Sequence, residues 1–348
     1  MPPVRIGLIG CGGIAKAAHL PAFDALHALV RLVAVADTDA DAAEALARPR
    51  GIPAYRDHER LLAHEDLDAV VIASPEYAHR EQVEAAAARG LHVLCEKPIA
   101  LTLEDADAMI AACDHAGVRL MVGHSRRFTN RYLRAREAID AGELGAVRLI
   151  RENERRPRYE DRPGQYYQRG HWTADPLRSR GIVLTAAIHE TDLFRWFAGS
   201  DPISVYAEHH STMAGNESVP DFISFTIRFA NGCIASSELS RVLPPCYPGF
   251  HQLEIYGSEG AFRARDTELS SLTHYRRAGA SHPGHYGILL QRAEIYVRQL
   301  AVFIDALATG AALPVTAADA RAALALALAA DRSARTGRAV TLTGDAPA

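Results

Sequence analysis

The chain begins by running an apolar strand, VRIGLIG over 4–10, directly into a glycine-rich turn, Cys11-Gly12-Gly13-Ile14-Ala15. A second apolar strand, RLVAVAD, closes on Asp37. Few folds use this order of parts. Gly10 permits a tight turn, Gly12 lets main chain approach a diphosphate, and Ala15 is small enough for a helix to pack on the strand. The helix that starts here offers free N–H groups and a positive dipole end to phosphate oxygens. Asp37 lies about 20 residues beyond the turn, where a carboxylate accepts a ribose hydroxyl. The reading is a dinucleotide cradle in a doubly wound sheet.

Three further segments continue the pattern. DAVVIAS (68–74), LHVLCEK (91–97) and RLMVGH (119–124) are continuous apolar runs, and amphipathic, alanine-rich helices separate them. Such runs belong to a parallel sheet covered on both faces. Gly90 is placed to close one helix, and Thr102 with Asp105 to open the next. The texture changes after Arg126. A helix is expected over 129–142, then a strand, a long Arg-, Pro-, Gly- and Tyr-rich lid over 155–180, and a helix over 185–198. From 203 to 273 period-two strands dominate, joined by turn chemistry at Asn231-Gly232 and Ser258-Glu259-Gly260. Helices are expected over 290–309 and 317–336, separated by Pro314. The fold class expected is therefore an N-terminal Rossmann-type parallel sheet, residues 1–122. A C-terminal open, mostly antiparallel sheet with helices on one face follows, residues 123–348. The uncovered face of that sheet predicts a homodimer or homotetramer.

Bulk properties exclude several classes. The 348 residues are 48% hydrophobic and 23% charged, with a net charge of −4. This composition suits a globular protein and argues against a general nucleic-acid binder. No apolar run approaches the roughly 18 residues that span a bilayer. With so few residues before the first strand, no signal peptide is expected. Five scattered cysteines include no CxxC pair, so neither a zinc site nor a disulfide framework is indicated. A reducing, cytoplasmic setting is expected.

Two motifs carry chemistry. Glu96-Lys97-Pro98 ends the strand LHVLCEK, and strand C-termini are where ligands lie in such sheets. An ammonium there can stabilise the alkoxide that develops as a hydride leaves a carbinol carbon. Pro98 holds the turn and is a candidate for a cis bond. In Thr185-Ala186-Ala187-Ile188-His189-Glu190-Thr191-Asp192, helical spacing places Thr185, His189 and Asp192 on one face. Histidine titrates near neutrality and suits a general base. The chain has 16 histidines, so residue type alone selects none of them.

These segments together resemble the glucose-fructose oxidoreductase / inositol dehydrogenase / MocA family. The similarity runs through GLIGCGGIAKAAHLPAF, SPEYAHREQVEAAAARGLHVLCEKPIALTLEDADAMI, VGHSRRF, GELGAVRLI, IHETDLFRWFAG and PVTAADARAALALALAADRSARTGRAV. The resemblance implies hydride transfer between nicotinamide and a carbon of a sugar, cyclitol or related alcohol. Lys97 is then the lysine of the family's EKP motif, and His189, set beside it, the histidine of its helix motif. The cofactor set implied is Gly10, Gly12, Gly13, Ile14, Asp37, Thr38, Ser74, Pro75, His79, Glu96 and Lys97. His79 is ranked behind the direct contacts. Asp37 favours NAD by repelling a 2′-phosphate, while Thr38 leaves room for NADP. Arg126, Arg127, Tyr159 and Trp172 join His189 as substrate-binding candidates. The lid arginines could instead pair with Glu152, Glu154, Glu160 and Asp161, or line an oligomer interface. The family often has an aspartate four residues before the histidine; here Thr185 stands there, able to offer only a neutral hydrogen bond. The usual GGG before this helix is reduced to Arg180-Gly181. Two other readings remain: a relative that retains its NAD and cleaves a bond by successive oxidation and reduction, and a non-catalytic dinucleotide sensor.

Overall fold

The computed structural model describes residues 2–157, 172–212, 218–243, 250–265, 272–276, 279–281 and 292–342. The chain forms two compact units, 1–128 with 290–321, and 129–289 with 322–348.

The first unit holds six parallel strands: β1 (Val4–Ile9), β2 (Val30–Ala36), β3 (Ala54–Tyr55), β4 (Ala69–Ile72), β5 (His92–Glu96) and β6 (Leu120–Gly123). Their order is β3-β2-β1-β4-β5-β6. Helices α1 (Leu20–Ala25), α2 (Ala40–Ala47), α3 (His58–His64), α4 (His79–Ala87) and α5 (Leu103–Ala116) intervene. The strand centres are apolar because both faces are covered: Ile6, Leu8, Val35, Val70, Val71 and Val93 are fully buried. Helix starts follow capping chemistry. The Asp39 carboxylate accepts the N–H groups of Asp41 and Ala42, and Thr102 Oγ1 that of Asp105 at 3.1 Å. Strand order reverses between β1 and β4, which opens a crevice at the C-terminal strand ends.

The second unit is built on a nine-stranded sheet. Its strands are β7 (Val147–Pro157), β8 (Pro202–His210), β9 (Phe222–Phe229), β10 (Ile234–Leu243), β11 (Phe250–Gly257), β12 (Gly260–Arg265), β13 (Leu272–Arg276), β14 (Gly279–Ser281) and β15 (Val340–Thr341). The order is β14-β13-β12-β11-β7-β10-β9-β8-β15. Every neighbouring pair is antiparallel except β7 with β10. The expected Asn231-Gly232 turn joins β9 to β10, with Gly232 at φ +84°. Alternation is clean on β9, where Ile223, Phe225, Ile227 and Phe229 are buried and Ser224, Thr226 and Arg228 are exposed. Helices α6 (Asn130–Asp140) and α7 (Ile188–Ala198) belong to this unit, and α7 packs on β7.

Two further helices follow, α8 (Arg292–Thr309) and α9 (Ala317–Thr336). Here the expected division at 122/123 differs from the observed units. Segment 290–321 returns to the first unit, and the crossing point moves to residue 128. Specific ties account for this. Arg119 donates to the carbonyls of Ala306 and Ala311, Arg298 to Phe128 O, and Tyr296 meets the His19 ring edge-on at 4.9 Å.

Candidate active site

The glycine turn is built as its spacing requires. Gly10 has φ +97°, and a Cβ there would lie 2.5 Å from Ser74 N and 2.6 Å from the Ala73 carbonyl carbon. Only glycine lets β1 turn beside the end of β4. Gly12 and Gly13 are exposed, and a Cβ built on either meets nothing within 4 Å, so the space above the turn is open. Ile14 leads into a wide π-type turn over Ala15–His19, in which Ala15 and Ala18 are fully buried. Asp37, just past β2, holds the turn. Its Oδ2 accepts the Cys11 N–H at 2.6 Å and its Oδ1 that of Asp39 at 2.9 Å. Each oxygen retains a second acceptor position for a hydroxyl. Thr38 is exposed beside it. Burial, together with the Asp37 charge, pushes the Cys11 thiol up to about 12, so it stays protonated.

The next loops lie side by side because β4 and β5 are parallel neighbours with Ile72 opposite Cys95. Ser74 Oγ donates to Gln82 Oε1 at 2.6 Å, and Pro75 is half-buried. The Lys97–Pro98 bond is cis, and Lys97 is half-buried. His79, ranked behind the direct cofactor contacts, is buried between these loops. It is 1% exposed, with Nε2 3.0 Å from Ser74 O and Nδ1 3.0 and 3.2 Å from the carbonyls of Pro98 and Ile99. It acts as a clip between two loops, and its burial lowers its pKa despite those carbonyls. Glu96 is likewise a buried tie. Its Oε1 lies 2.9 Å from His19 Nε2, and its Oε2 accepts the Lys97 N–H at 3.3 Å. Burial works to raise its pKa, but the His19 hydrogen bond and charge, with Lys97, hold it below the usual carboxylate value.

Sequence reasoning missed His19 and Glu76. Nothing marks His19 among so many histidines. Glu76 had one signal, a charged residue directly after Pro75 where an apolar strand ends. It is 6% exposed, and its Oε1 has no hydrogen-bond partner. Burial pushes its carboxyl up to about 7, against the pull of its own N–H and of Lys97.

In the second unit a π-type turn over Val183–Ala187 leads into α7. Gly181, at φ +55°, comes so close to Pro220 that a side chain would strike its carbonyl. Thr185 Oγ1 donates to Gly181 O at 2.8 Å. Thr185 and His189 are half-buried among fully buried Leu184, Ala186, Ala187 and Ile188, so the structure places both on the open face of this segment. Asp192, expected on the same face, is buried instead. Trp172 is half-buried on a short turn, and Tyr159, with Tyr166 and Tyr167, lies outside the described residues.

The arginines divide. Arg126 is half-buried. Arg127, expected at the substrate, is buried and turned to the start of α9, donating to Pro314 O at 3.1 Å with Asp319 at 3.6 Å. It anchors the returning segment. Arg156 pairs with Glu154 at 2.7 Å, one of the acidic partners expected for the lid. Arg155 pairs with Glu238 at 2.8 Å and Arg180 with Asp331 at 3.2 Å. Among the described residues, His58, Glu59 and Glu81 bring ligand-type atoms within 4.8 Å of one another; the two glutamates are exposed, as solvated acids commonly are.

Two family models match the chain. Residues 4–124 match an oxidoreductase family with an NAD-binding Rossmann fold, and residues 132–263 match the GFO/IDH/MocA C-terminal domain. The chain belongs to the Gfo/Idh/MocA oxidoreductase family. It is similar to an inositol 2-dehydrogenase of Rhizobium meliloti (strain 1021), 33% identical over 97% of this chain and 99% of the relative. It is 31% identical to a 1,5-anhydro-D-fructose reductase of Ensifer adhaerens over 97% of this chain and 98% of the relative. The crystal structure of the WlbA dehydrogenase from Bordetella pertussis, in complex with NADH and UDP-GlcNAcA, matches with a TM-score of 0.85 at 27% identity. That match covers 99% of this chain and 100% of the other. As a member of the Gfo/Idh/MocA family the protein is an oxidoreductase with an NAD-binding fold, and the residues present fit the cofactor. The turn that must admit a diphosphate has open space at Gly12 and Gly13, and the acid placed for ribose keeps acceptor capacity. No helix among the described residues is long and apolar enough to cross a membrane.

Proposed function

We propose that the protein oxidises a secondary alcohol carbon of a sugar or cyclitol, with NAD as the preferred acceptor. The observation that carries this reading is Lys97. It is half-buried at the C-terminal end of β5, and its main-chain N–H is fixed by Glu96, in the same unit as an open glycine cradle. Gly10, Gly12, Gly13, Ile14 and Asp37 would hold the dinucleotide, which when bound supplies the hydride acceptor. The Lys97 ammonium polarises the substrate hydroxyl oxygen and stabilises the alkoxide as it forms. His189 takes the hydroxyl proton on a ring nitrogen, in its neutral form. Thr185, whose hydroxyl donates to Gly181 O, brings no second charge to that face. Asp37 favours NAD because a carboxylate repels a 2′-phosphate. The substrate class is supported by the inositol and anhydrofructose relatives.

The same reading places a homo-oligomer on the outer face of the nine-stranded sheet. Ile234, Leu149 and Tyr256 stand in register across β10, β7 and β11, and Ile234 and Tyr256 are exposed. A cytoplasmic setting is supported by the free, buried cysteines 11, 95, 113 and 233. The deciding experiment is Lys97→Ala. Turnover of a cyclitol and aldose panel should fall by about 10²–10³-fold, with NAD affinity close to wild type. Undiminished turnover would overturn the reading.

A further inference from the structure

We propose that Glu76 is a positioning residue for Lys97, a buried counter-carboxyl whose proton sets how much positive charge the lysine presents. The inference rests on the role given to Lys97 above, and its physical content can be measured without turnover.

Placement comes first. Glu76 follows the end of β4 as Lys97 follows the end of β5, and the parallel register of these strands carries both exits in one direction. The His79 imidazole then clips the two exits together through the carbonyls of Ser74, Pro98 and Ile99. Glu76 is drawn inside with them. One carboxyl oxygen is engaged by the residue's own N–H, while Oε1 is buried with no partner. A buried oxygen left in this state calls for an explanation.

The charges nearby narrow it. Glu96, at the end of β5, is committed to His19 and to the Lys97 main chain. His79, on α4, spends both ring nitrogens on carbonyls. Tyr77, on the same turn as Glu76, is exposed. Among the described residues, Lys97 is the charge that acts on Glu76. Its carboxyl, held up to about 7 by burial, is neutral below that pH and ionised above it. Neutral, it leaves the ammonium at full strength toward a substrate oxygen. Ionised, it neutralises part of that field and raises the lysine's pKa. Coupling of this kind is reciprocal: whatever Lys97 does to the proton on Glu76, Glu76 does to the proton on Lys97.

The test is a pair of NMR titrations on the full-length protein. With 13C in the glutamate side-chain carboxyls, the resonance lost in Glu76→Gln should titrate near 7 in the wild type. In Lys97→Ala its midpoint should rise by about one pH unit. In the opposite direction, 13C-methylated Lys97 should titrate lower in Glu76→Gln by a similar amount. A Glu76 midpoint unmoved by Lys97→Ala overturns the proposal, whatever the activity. Should Glu76→Gln not fold, Glu76→Asp removes the same glutamate resonance and supplies the assignment, so the comparison of wild type with Lys97→Ala stands. Reciprocal shifts in a protein that turns over no sugar or cyclitol would sink the proposed function and leave this pairing standing. If both hold, the wild-type dependence of kcat on pH has a limb near 7 that Glu76→Gln lacks.

Discussion

The two units hold their polar groups in opposite ways. In the first unit the loops are tied by buried groups, His79 to three carbonyls and Glu96 to His19, while half-buried Asp37 holds two N–H groups at the glycine turn. Around His189 the face is half-open, and the arginines nearby in sequence pair with acids, several at partly exposed positions. A site for an invariant nucleotide gains from rigidity, because groups fixed beforehand do not reorganise during reaction. A site that must select one substrate among many gains from a surface whose side chains can change without disturbing a core.

That contrast can be broken from either side. His189→Ala should lower kcat by about 10²–10⁴-fold while NAD affinity holds, measured by steady-state kinetics and nucleotide titration. A loss of NAD binding instead would overturn the assignment of His189 to proton transfer alone. Next in size is stability. Glu76 has a folded-state pKa raised from 4.5 to about 7. Its contribution is therefore favourable below the ordinary carboxylate value and is lost as pH rises through 7. Glu76→Gln should raise Tm at pH 8, for a gain on the order of 1–3 kcal/mol, and much less at pH 5. Equal gains at both pH values would argue against a strongly raised carboxyl. Arg127→Ala should cost about 1–3 kcal/mol of stability with KM for the alcohol unchanged; a raised KM would restore the substrate role first expected of it. Smallest is Arg155→Ala. Its pair with Glu238 is more than a third exposed on both sides, so thermal denaturation should move by less than about 1 kcal/mol.

How much of this was legible beforehand differed by level. The parallel strands were, because burial on both faces demands continuous apolar runs; only two-residue β3 was too short to carry a pattern. The cradle was also legible, since glycine spacing and the acid after β2 are local. The position of Lys97 just past β5 was readable too, because a strand end is local. The ties around it were not. The neighbours of His79 and Glu76 are set by which strands pair and in what register. Arg127 shows the same limit, for an arginine after a strand reads alike whether it faces a substrate or a carbonyl 187 residues away. The amphipathic pattern of α8 announced that the helix packs, without saying on what.

The returning segment has a practical corollary. The nucleotide-binding body is not one continuous stretch of gene. Grafting it onto a relative, to exchange cofactor preference while keeping substrate choice, would need crossovers near 128, 290 and 321. A single cut at 122 would leave α1 and the turn after β6 without the helix that covers them.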